Sequence, residues 1–537
     1  MASIEAALDK LFAGFDGSNR PGCTVAIVHD GKTLLRKGYG MASIDLDVPN
    51  KPETVIRIGS QTKQLAVFLA FLLIKEGKLR YDDEIRKYHP GLPDYGVPIR
   101  LSHVMTNVSG MREFLDLISL SGADARSPIS AAEVTKLMQG QPDLNFKPGD
   151  RLMYCNTGFR LLSELVEKVA GESMEDLLRK RIFEPLGMAN SRLMRLDDEI
   201  VPGLATHHLQ QPDGSYRKGR WGVPVAGEGS AVSTVDDMLV WAANMISDNP
   251  KVGTPEIFKK MQTPPKFNSG RTSIYAHGLQ SAPYRGTLGI GHGGGVPGGR
   301  SGTYQFPEHK LTVAILGNLD NIAPYILSRK IADIVLGDKL QAAPPAPKTA
   351  DLEKLAGLYW DDARAEPMEL VVENGELISR LGHKTPLWPT SSGGFVPMSG
   401  VHEQEFKPTA SGFEATDSGV ATSWRRIDGY NAPKSDQEQA VGTYRNDGLE
   451  STYTISNGGD RLLLDMQGAL GRKRMGLTPI LKDVYVASAL GPRQWGGDFQ
   501  PVLHLTRDGG KVTGLNVSTD RNKKIRFART ASEGARP

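Results

Sequence analysis

The pattern of apolar and polar positions mixes helices and strands over the first 340 residues. "MASIEAALDKLFAGF" has apolar residues at helical spacing, which predicts an amphipathic first helix. The apolar run from Leu65 to Ile74 stops at Lys75 and predicts a buried helix. Alternation in "CTVAIVHDGKTLLRKGYG" predicts a hairpin, and residues 286–318 predict three strands with a helix after them.

A proline-rich stretch at residues 341–350, "QAAPPAPKTA", divides the chain, because its prolines preclude a helix and favour an extended spacer. Beyond it the pattern shows only short alternating strands, and these repeat. Gly357-Leu358-Tyr359 and Gly442-Thr443-Tyr444 stand 85 residues apart, which indicates two copies of one antiparallel barrel-like unit. We therefore predict domains at residues 1–340, 350–430 and 436–530.

The second copy of the repeat is longer than the first. The copies close at Trp424 and Phe527, 103 residues apart rather than 85, so the second copy carries 18 extra residues. We place most of them in a glycine-flanked loop within "QGALGRKRMGLTPI", at about residues 470–480. An insertion in a repeat lies on one face, often a functional one, although a surface loop without function stays an alternative.

Composition and charge exclude some partners. Hydrophobic residues make up 39% and charged residues 23% of the 537, both ordinary for a globular protein, and 60 glycines indicate many turns and antiparallel strands. A net charge of +3 is too small for an electrostatic nucleic-acid binder. We interpret the basic run "RNKKIR", residues 521–526, as a solvated strand edge, and predict no nucleic-acid partner.

The compartment follows from the N-terminus and from the cysteines. No apolar run approaches the length of a membrane span, and the first residues lack the apolar core of a secretory signal. With only Cys23 and Cys155 and no export signal, a structural disulfide is not expected. We predict a cytoplasmic protein without a membrane partner.

The stretch "RIGSQTKQL" places Lys63 one helical turn after Ser60, at the start of the apolar helix. Side chains three residues apart share a helix face, so the two can touch. A lysine made neutral by burial can remove the serine proton, and a helix N-terminus can stabilise an oxyanion. Chance also produces Ser-x-x-Lys in a chain of this length, as a capped helix with a solvated lysine, so the motif alone does not decide.

Two further segments could complete an acyl-transfer site. Tyr154-Cys155-Asn156 begins another predicted helix, and His292-Gly293-Gly294-Gly295 lies on a predicted strand; each is a weak signal by itself. No His, Cys, Asp or Glu cluster has a convincing metal-ligand spacing, and His207-His208 lies in a polar stretch where we expect both side chains to be solvated. The sequence therefore predicts no metal and no cofactor.

In order and flanking text, "SQTK", "YCN" and "HGG" resemble the three motifs of the penicillin-recognising serine hydrolases, the group of serine β-lactamases and D,D-carboxypeptidases. With two barrel units after the linker, nearly the whole chain resembles the bacterial D-aminopeptidases of that group. The resemblance implies an α+β fold: a serine β-lactamase or penicillin-binding-protein-like catalytic domain, an antiparallel sheet flanked by helices, followed by two antiparallel eight-stranded β-barrels.

The resemblance also implies a role for each motif residue. Ser60 would be the nucleophile, and Lys63 its base and proton shuttle. Tyr154 would relay the proton to the leaving amine, Asn156 would hold the substrate amide, and His292 would assist the tyrosine from the strand.

Two backbone groups and one arginine complete the implied site. The N–H groups of Ser60 and Gly295 would form the oxyanion hole, as the steric freedom of a glycine-rich strand allows. Arg300 falls where the family also has an arginine, with a structural ion pair as the alternative.

In the resembled family a loop of the last barrel enters the cleft, and an acidic residue on it contacts the substrate ammonium. The aligned position here is the basic Arg474, and four explanations stay open. They are a loop register that differs by a few residues, an enzyme that prefers acidic substrates, chemistry that has changed to that of an amidase or esterase, and a loop that points outward. The specificity residues predicted on this loop are Leu470, Gly471, Arg472, Lys473, Arg474 and Met475.

By this resemblance the protein is a D-stereospecific aminopeptidase that hydrolyses N-terminal D-residues from short peptides, amides or esters through a Ser60 acyl-enzyme. Its expected partners are a small D-amino-acid-containing substrate, β-lactams as inhibitors, and a second copy of the chain in a homodimer. The alternatives are an esterase, a D,D-peptidase or a β-lactamase of the same fold, and a non-catalytic protein that binds a D-amino acid or a β-lactam.

Overall fold

The computed structural model of the chain describes residues 2–124, 126–380, 384–402, 404–490 and 499–530. They form a first part with one large sheet and most of the helices, and then two closed barrels. The helices are α1 (Ala2–Phe12), α2 (Thr62–Lys75), α3 (Leu101–Met105), α4 (Phe114–Leu120), α5 (Ala131–Gln139), α6 (Asn156–Ala170), α7 (Met174–Leu178), α8 (Glu184–Leu186), α9 (Val235–Met245), α10 (Pro255–Gln262), α11 (Pro324–Leu336), α12 (Thr349–Leu355) and α13 (Lys434–Ala440).

The sheet of the first part is antiparallel throughout, in the order β10-β11-β12-β13-β1-β2. Strand β1 of the N-terminal hairpin pairs with β13, the last strand of this part, so the two ends of the domain lie side by side in the sheet. The strands of this part are β1 (Cys23–His29), β2 (Lys32–Tyr39), β3 (Met41–Ser43), β4 (Val48–Pro49), β5 (Ile56–Arg57), β6 (Arg192–Leu193), β7 (His208–Gln210), β8 (Tyr216–Lys218), β9 (Ala231–Ser233), β10 (Gln280–Tyr284), β11 (Thr287–Val296), β12 (Gly299–Phe306) and β13 (Leu311–Gly317).

Both faces of the large sheet are covered, so its central strands are almost entirely buried. Val25 and Ile27 on β1 pack with α1 and α11 on one face, whereas Ala26 between them joins the larger core on the other face. This alternation follows from the two-residue period of a strand. The larger core contains α2, which is buried along nearly its whole length and agrees with the apolar run that predicts it.

Two closed eight-stranded antiparallel barrels follow, as predicted. The first consists of β14 (Gly357–Asp361), β15 (Glu366–Glu373), β16 (Glu376–Ser379), β17 (Thr385–Pro389), β18 (Phe395–Pro397), β19 (Gln404–Pro408), β20 (Gly412–Asp417) and β21 (Val420–Ile427). The second consists of β22 (Gly442–Asn446), β23 (Ser451–Asn457), β24 (Leu462–Gly468), β25 (Gly471–Leu481), β26 (Val484–Ala489), β27 (Val502–Asp508), β28 (Lys511–Ser518) and β29 (Ile525–Arg529).

The expected loop at residues 470–480 is wrong, because all of these residues after Leu470 belong to strand β25, which is paired with β24 and β26. The first four strands of the two barrels begin at almost the same spacing, so no insertion precedes β25. Most of the extra residues lie between β26 and β27, partly outside the described residues, and between β28 and β29, where residues 519–524 replace the two-residue turn of the first barrel. Repeat spacing reports the total surplus but does not locate it.

Equivalent turns of the two barrels dock on the first domain. The β20–β21 turn of the first barrel bonds the segment before Tyr154: Leu152 N donates to Ser418 Oγ at 3.1 Å. The β28–β29 connection of the second barrel contains the first four residues of "RNKKIR" and packs on residues 112–116. Asn522 is fully buried there, and Arg521 and Lys523 are partly buried, whereas Lys524 and Arg526 are exposed. The predicted solvated edge is therefore wrong for residues 521–523, which form a docking element.

Phe68, on α2, is fully buried between two aromatic rings of the large core. It stacks on Phe258 at 5.3 Å and meets Trp241 edge-on at 5.4 Å between ring centroids. We expect Phe68→Ala to destabilise the protein by about 3–5 kcal/mol, because the change leaves a cavity beneath α2. Denaturant unfolding followed by tryptophan fluorescence measures the effect, and Leu46→Ala, at a side chain 72% exposed, is the control. A loss under 1 kcal/mol at Phe68 would contradict this packing.

Candidate active site

Ser60 lies in a tight turn that is held against strand β11. Residues 59–61 form a single 3₁₀ turn that leads into α2, and Gly59 has a φ of +55°, which favours glycine. Gly294 on β11 passes so close that a Cβ there would lie 1.9 Å from Ile58 O. Ser301 on β12 ties the same turn down by donating to Ile58 O at 2.6 Å. The two glycines therefore allow the strand and the serine turn to meet.

Lys63 is fully buried, one helical turn from Ser60, and its Nζ has three partners. It lies 3.0 Å from Ser60 Oγ and 2.6 Å from Asn156 Oδ1, and it also donates to the carbonyl oxygen of Glu228. Amide and peptide oxygens only accept hydrogen bonds. A neutral amine would therefore give its two N–H groups to Asn156 and Glu228 and turn its lone pair toward the Ser60 hydroxyl.

The burial that creates this pocket also adjusts the basicity of the amine. Loss of solvation lowers the pKa of Lys63 to about 7, against opposing contributions from the carboxylates of Glu228 and Glu113. A base with a pKa near neutrality is the type that removes a proton efficiently at neutral pH. Aromatic rings cover the remaining sides, with Nζ 4.8 Å from the Tyr154 centroid and 5.2 Å from that of Phe159.

Asn156 is oriented by the buried carboxylate of Glu113, which none of the sequence motifs indicates. Its Nδ2 donates to Glu113 Oε1 at 2.9 Å, which turns Oδ1 toward Lys63. The other Glu113 oxygen accepts the backbone N–H of Asn156, the first residue of α6. Glu113 also caps α4, and its side chain has no exposed surface. An acidic residue directly before the apolar helix "FLDLISL" is the signal that could have indicated it.

Tyr154 places its hydroxyl beside Ser60 in a buried position. Burial holds the pKa of Tyr154 well above its usual range, and the adjacent Ser60 hydroxyl offsets part of this effect. Within the described residues Oη makes no hydrogen bond of normal geometry, so it is available to another group. A neutral phenol there can donate a proton and accept one.

His292 is buried on β11, but its hydrogen-bond partner is Tyr275 rather than Tyr154. Its Nδ1 lies against the carbonyl of Gly293, which only accepts, so Nδ1 carries the proton and Nε2 accepts from Tyr275 Oη at 2.9 Å. Burial lowers the pKa of His292 to about 3, with Lys63 adding to the effect. The imidazole is therefore neutral, and it contacts Tyr154 only by ring packing at 6.1 Å between centroids.

The remaining predicted site groups lie along the same strands. A Cβ on Gly59 would come within 2.9 Å of Gly295 N, so this backbone N–H is close to the serine turn. Arg300, opposite Gly295 on β12, donates to the carbonyl oxygens of Gly299 and Val296 at 2.9 and 3.2 Å.

A cavity of about 1700 Å³ opens over Ser60 between the first domain and both barrels, and Tyr154, Asn156 and His292 line it. The beginning of β25 forms part of the opposite wall, through the segment 471–475. Arg474 is paired with Asp465 on the neighbouring strand at 2.6 and 3.0 Å, so its charge is neutralised within the barrel. Lys473 packs over Phe499 at 4.9 Å, while Leu470 contacts the core and does not line the cavity.

In the part of the chain that the structure describes, no three His, Cys, Asp or Glu side chains are grouped as a metal site would require. His207 and His208 are buried rather than solvated, so this expectation was wrong. His208, the first residue of β7, bridges Leu319 just beyond β13, and its N–H bonds the carbonyl oxygens of Gly298 and Asn318. None of the described helices is long and apolar enough to cross a membrane.

The fold and the Ser60–Lys63 pair define a serine hydrolase. The family model described as Beta-lactamase matches residues 8–334, more than half of the chain, and the protein belongs to this family.

Similar proteins extend the match over both barrels. A D-aminopeptidase from Gluconobacter oxydans (strain 621H) is 28% identical over 533 residues, which cover 96% of each chain. A D-aminopeptidase from Brucella anthropi is 23% identical over 524 residues, again 96% of each. The octameric penicillin-binding protein homologue from Pyrococcus abyssi shares the fold with a TM-score of 0.54 and 20% identity, over 98% of this chain and 99% of that one.

The value of kcat/KM for a small activated ester, p-nitrophenyl acetate, should fall about tenfold per pH unit below a pH of about 7 and level off above it. Lys63 must be neutral to accept the Ser60 proton, and its folded pKa marks where protonation removes the base. Lys63→Arg stays cationic and should show no acylation at any pH. An acid limb near pH 4 or near pH 10 would contradict a neutral lysine base.

Gly294→Ala should reduce kcat/KM for the same ester by about 100-fold with little change in KM, because its Cβ would displace the Ser60 turn by roughly 1 Å. Gly14→Ala, where an added Cβ meets nothing within 4 Å, is the matched control. Thermal unfolding of both variants shows whether the fold is retained. A folded Gly294→Ala enzyme with the parent's kcat would refute the close contact of β11 and the turn.

Proposed function

We propose that the protein is a D-stereospecific aminopeptidase that releases N-terminal D-residues from short peptides, amides or esters through an acyl-Ser60 intermediate. One observation carries the chemistry: a buried lysine with a pKa of about 7 lies 3.0 Å from a serine hydroxyl in a large cleft. The full-length similarity to proteins named D-aminopeptidase supports the substrate class.

In the acylation step Ser60 Oγ bonds the substrate carbonyl carbon while its proton passes to Lys63 Nζ. The carbonyl oxygen becomes an oxyanion that the N–H groups of Ser60 and Gly295 stabilise. When this intermediate collapses, the C–N bond breaks and the amine leaves. Tyr154 donates its phenolic proton to that amine and takes the proton from Lys63, so the lysine is neutral again.

In the deacylation step a water attacks the ester carbonyl, and the same groups work in reverse. Tyr154 takes the water proton while it passes its own phenolic proton to Lys63 Nζ. When the intermediate collapses, Lys63 returns that proton to the departing Ser60 Oγ. Asn156 would hold the substrate amide, and His292, neutral and bonded to Tyr275, would support the wall beside Tyr154.

The cavity supports a substrate larger than a single amino-acid amide. Its volume of about 1700 Å³ exceeds the roughly 300–1000 Å³ of common small-ligand sites. Both barrels contribute to its walls, so a substrate beyond the first residue would contact them. The basic segment 472–474 would act on the far end of such a substrate, with Arg474 already paired to Asp465. A β-lactam that fits the cleft would acylate Ser60 and inhibit.

We further propose a cytoplasmic homodimer. Both cysteines are buried and free, which suits a reducing compartment. The structurally similar protein from Pyrococcus abyssi is octameric, so sedimentation of the purified chain is the direct test: two copies per particle are expected, and eight would overturn the dimer.

Hydrolysis of D-alanine p-nitroanilide, compared with its L-enantiomer and its N-acetylated form, tests the proposed substrate. We expect fast release from the free D-amine alone, because an aminopeptidase site receives the ammonium. Ser60→Ala should remove the activity, since it deletes the acylated oxygen.

Other outcomes identify the competing functions. Equal or better turnover of the acetylated form would favour an amidase or an acidic-substrate enzyme. Turnover of simple esters without any amide would favour an esterase. Labelling of Ser60 by a fluorescent penicillin without turnover of any substrate would favour a non-catalytic binding protein over an enzyme.

A further inference from the structure

The β28–β29 connection of the second barrel is anchored inside the catalytic domain. Glu113 N donates to Asn522 Oδ1 at 2.8 Å, and Asn522 Nδ2 returns a bond to Glu113 O at 3.1 Å. Asn145 Nδ2 donates to Arg521 O at 3.0 Å. Lys523 reaches the first barrel and pairs with Glu366 at 3.0 Å. The connection thus joins all three domains at the segment that precedes α4.

Arg521 is the side chain that this anchor presents to the catalytic domain. Its Nη2 donates to Asp116 Oδ1 at 2.7 Å, and Thr519 Oγ1 holds the other oxygen of Asp116 at 2.7 Å. Its Nη1 lies 3.6 Å from Glu113 Oε1, the oxygen that accepts Nδ2 of Asn156. The guanidinium is 16% exposed and Glu113 is fully buried, so the pair interacts with little solvent between.

These contacts form a continuous line from the second barrel to the nucleophile. Arg521 faces Glu113, Glu113 orients Asn156, Asn156 accepts from Lys63, and Lys63 contacts Ser60. We propose that Arg521 is a positioning residue for the Ser60–Lys63 pair: it fixes and neutralises the buried Glu113 carboxylate, so that the second barrel completes the active site. This inference rests on the acyl-serine part of the proposed function and does not depend on the D-residue preference.

The charges around Lys63 determine in which direction the loss of Arg521 would shift the pKa of the lysine. The amine contacts Ser60, Asn156, Tyr154 and the carbonyl of Glu228 directly. The titratable groups that act on it through their charge are Glu113, Cys155, Glu228, His292 and Arg521. Glu113 and Glu228 favour the ammonium, and Arg521 opposes them. Without Arg521 the Glu113 charge is uncompensated, and Lys63 keeps its proton to higher pH.

The test follows the pH dependence of kcat/KM for p-nitrophenyl acetate in the full-length protein. We expect Arg521→Gln to move the acid limb upward by about one pH unit, which is roughly tenfold less activity at pH 6 with convergence at pH 9 and above. Arg521→Lys, which keeps the positive charge, should leave the acid limb close to the pH at which the parent enzyme has it. A merely structural role would lower the activity equally at every pH.

Two further variants separate electrostatics from folding. Glu113→Gln should move the limb in the opposite direction, and the double variant Glu113→Gln with Arg521→Gln should bring it back toward the parent position. If Arg521→Gln does not fold, Glu113→Gln tests the carboxylate step on which the proposal rests: an unmoved limb overturns the proposal, and a downward shift supports that step. Arg507→Gln, which breaks the Asp483 pair elsewhere in the same barrel, is the matched control and should leave the limb in place.

The ester readout also separates this inference from the proposed substrate. An enzyme that hydrolyses p-nitrophenyl acetate but no D-amide, and whose limb moves with Arg521, would refute the D-aminopeptidase and support the role of Arg521. An enzyme active on D-alanine p-nitroanilide whose acid limb stays in place in Arg521→Gln would support the D-aminopeptidase and refute the role of Arg521.

Discussion

The burial of the Lys63 amine is the constraint on which the rest of the site depends. Removing an ammonium from water is costly, so the group stays buried only if polar atoms receive its hydrogens or if it loses its charge. Asn156 and Glu228 supply oxygens for two N–H groups, and the third position on Nζ, which holds a proton or the lone pair, faces Ser60. Because α2 is buried along nearly its whole length, the Lys63 side chain at its start is fully buried as well.

The barrels belong to the catalytic unit because they hold the segments that carry the site residues. A turn of the first barrel bonds the chain two residues before Tyr154, and a longer connection of the second barrel bonds the chain at Glu113. These contacts place buried charges and a cavity wall next to Ser60. The architecture therefore links the surroundings of a local Ser-x-x-Lys motif to barrel residues more than 350 positions later in the chain.

Local patterns made much of this fold predictable. The Ser60–Lys63 contact follows from helix geometry, the apolar run predicts α2, and the 85-residue repeat predicts two barrels, all of which agree with the structure. The position of the extra residues within the second barrel was not predictable, because the spacing of the repeat gives only their number. The expected loop at about residues 470–480 is largely strand β25. Arg521 left no local signature either, since its partners Glu113 and Asp116 are brought to it only by the docking of two domains.

Neutron diffraction from crystals equilibrated in D₂O would test the protonation of Lys63 most directly, since it counts the deuterons on Nζ. At a pD about two units below 7 we expect three deuterons, one directed at each acceptor. At a pD about two units above 7 we expect two deuterons, directed at Asn156 and Glu228, with the Ser60 hydroxyl donating to the lone pair. Three deuterons on Nζ at both pD values would contradict the neutral lysine base.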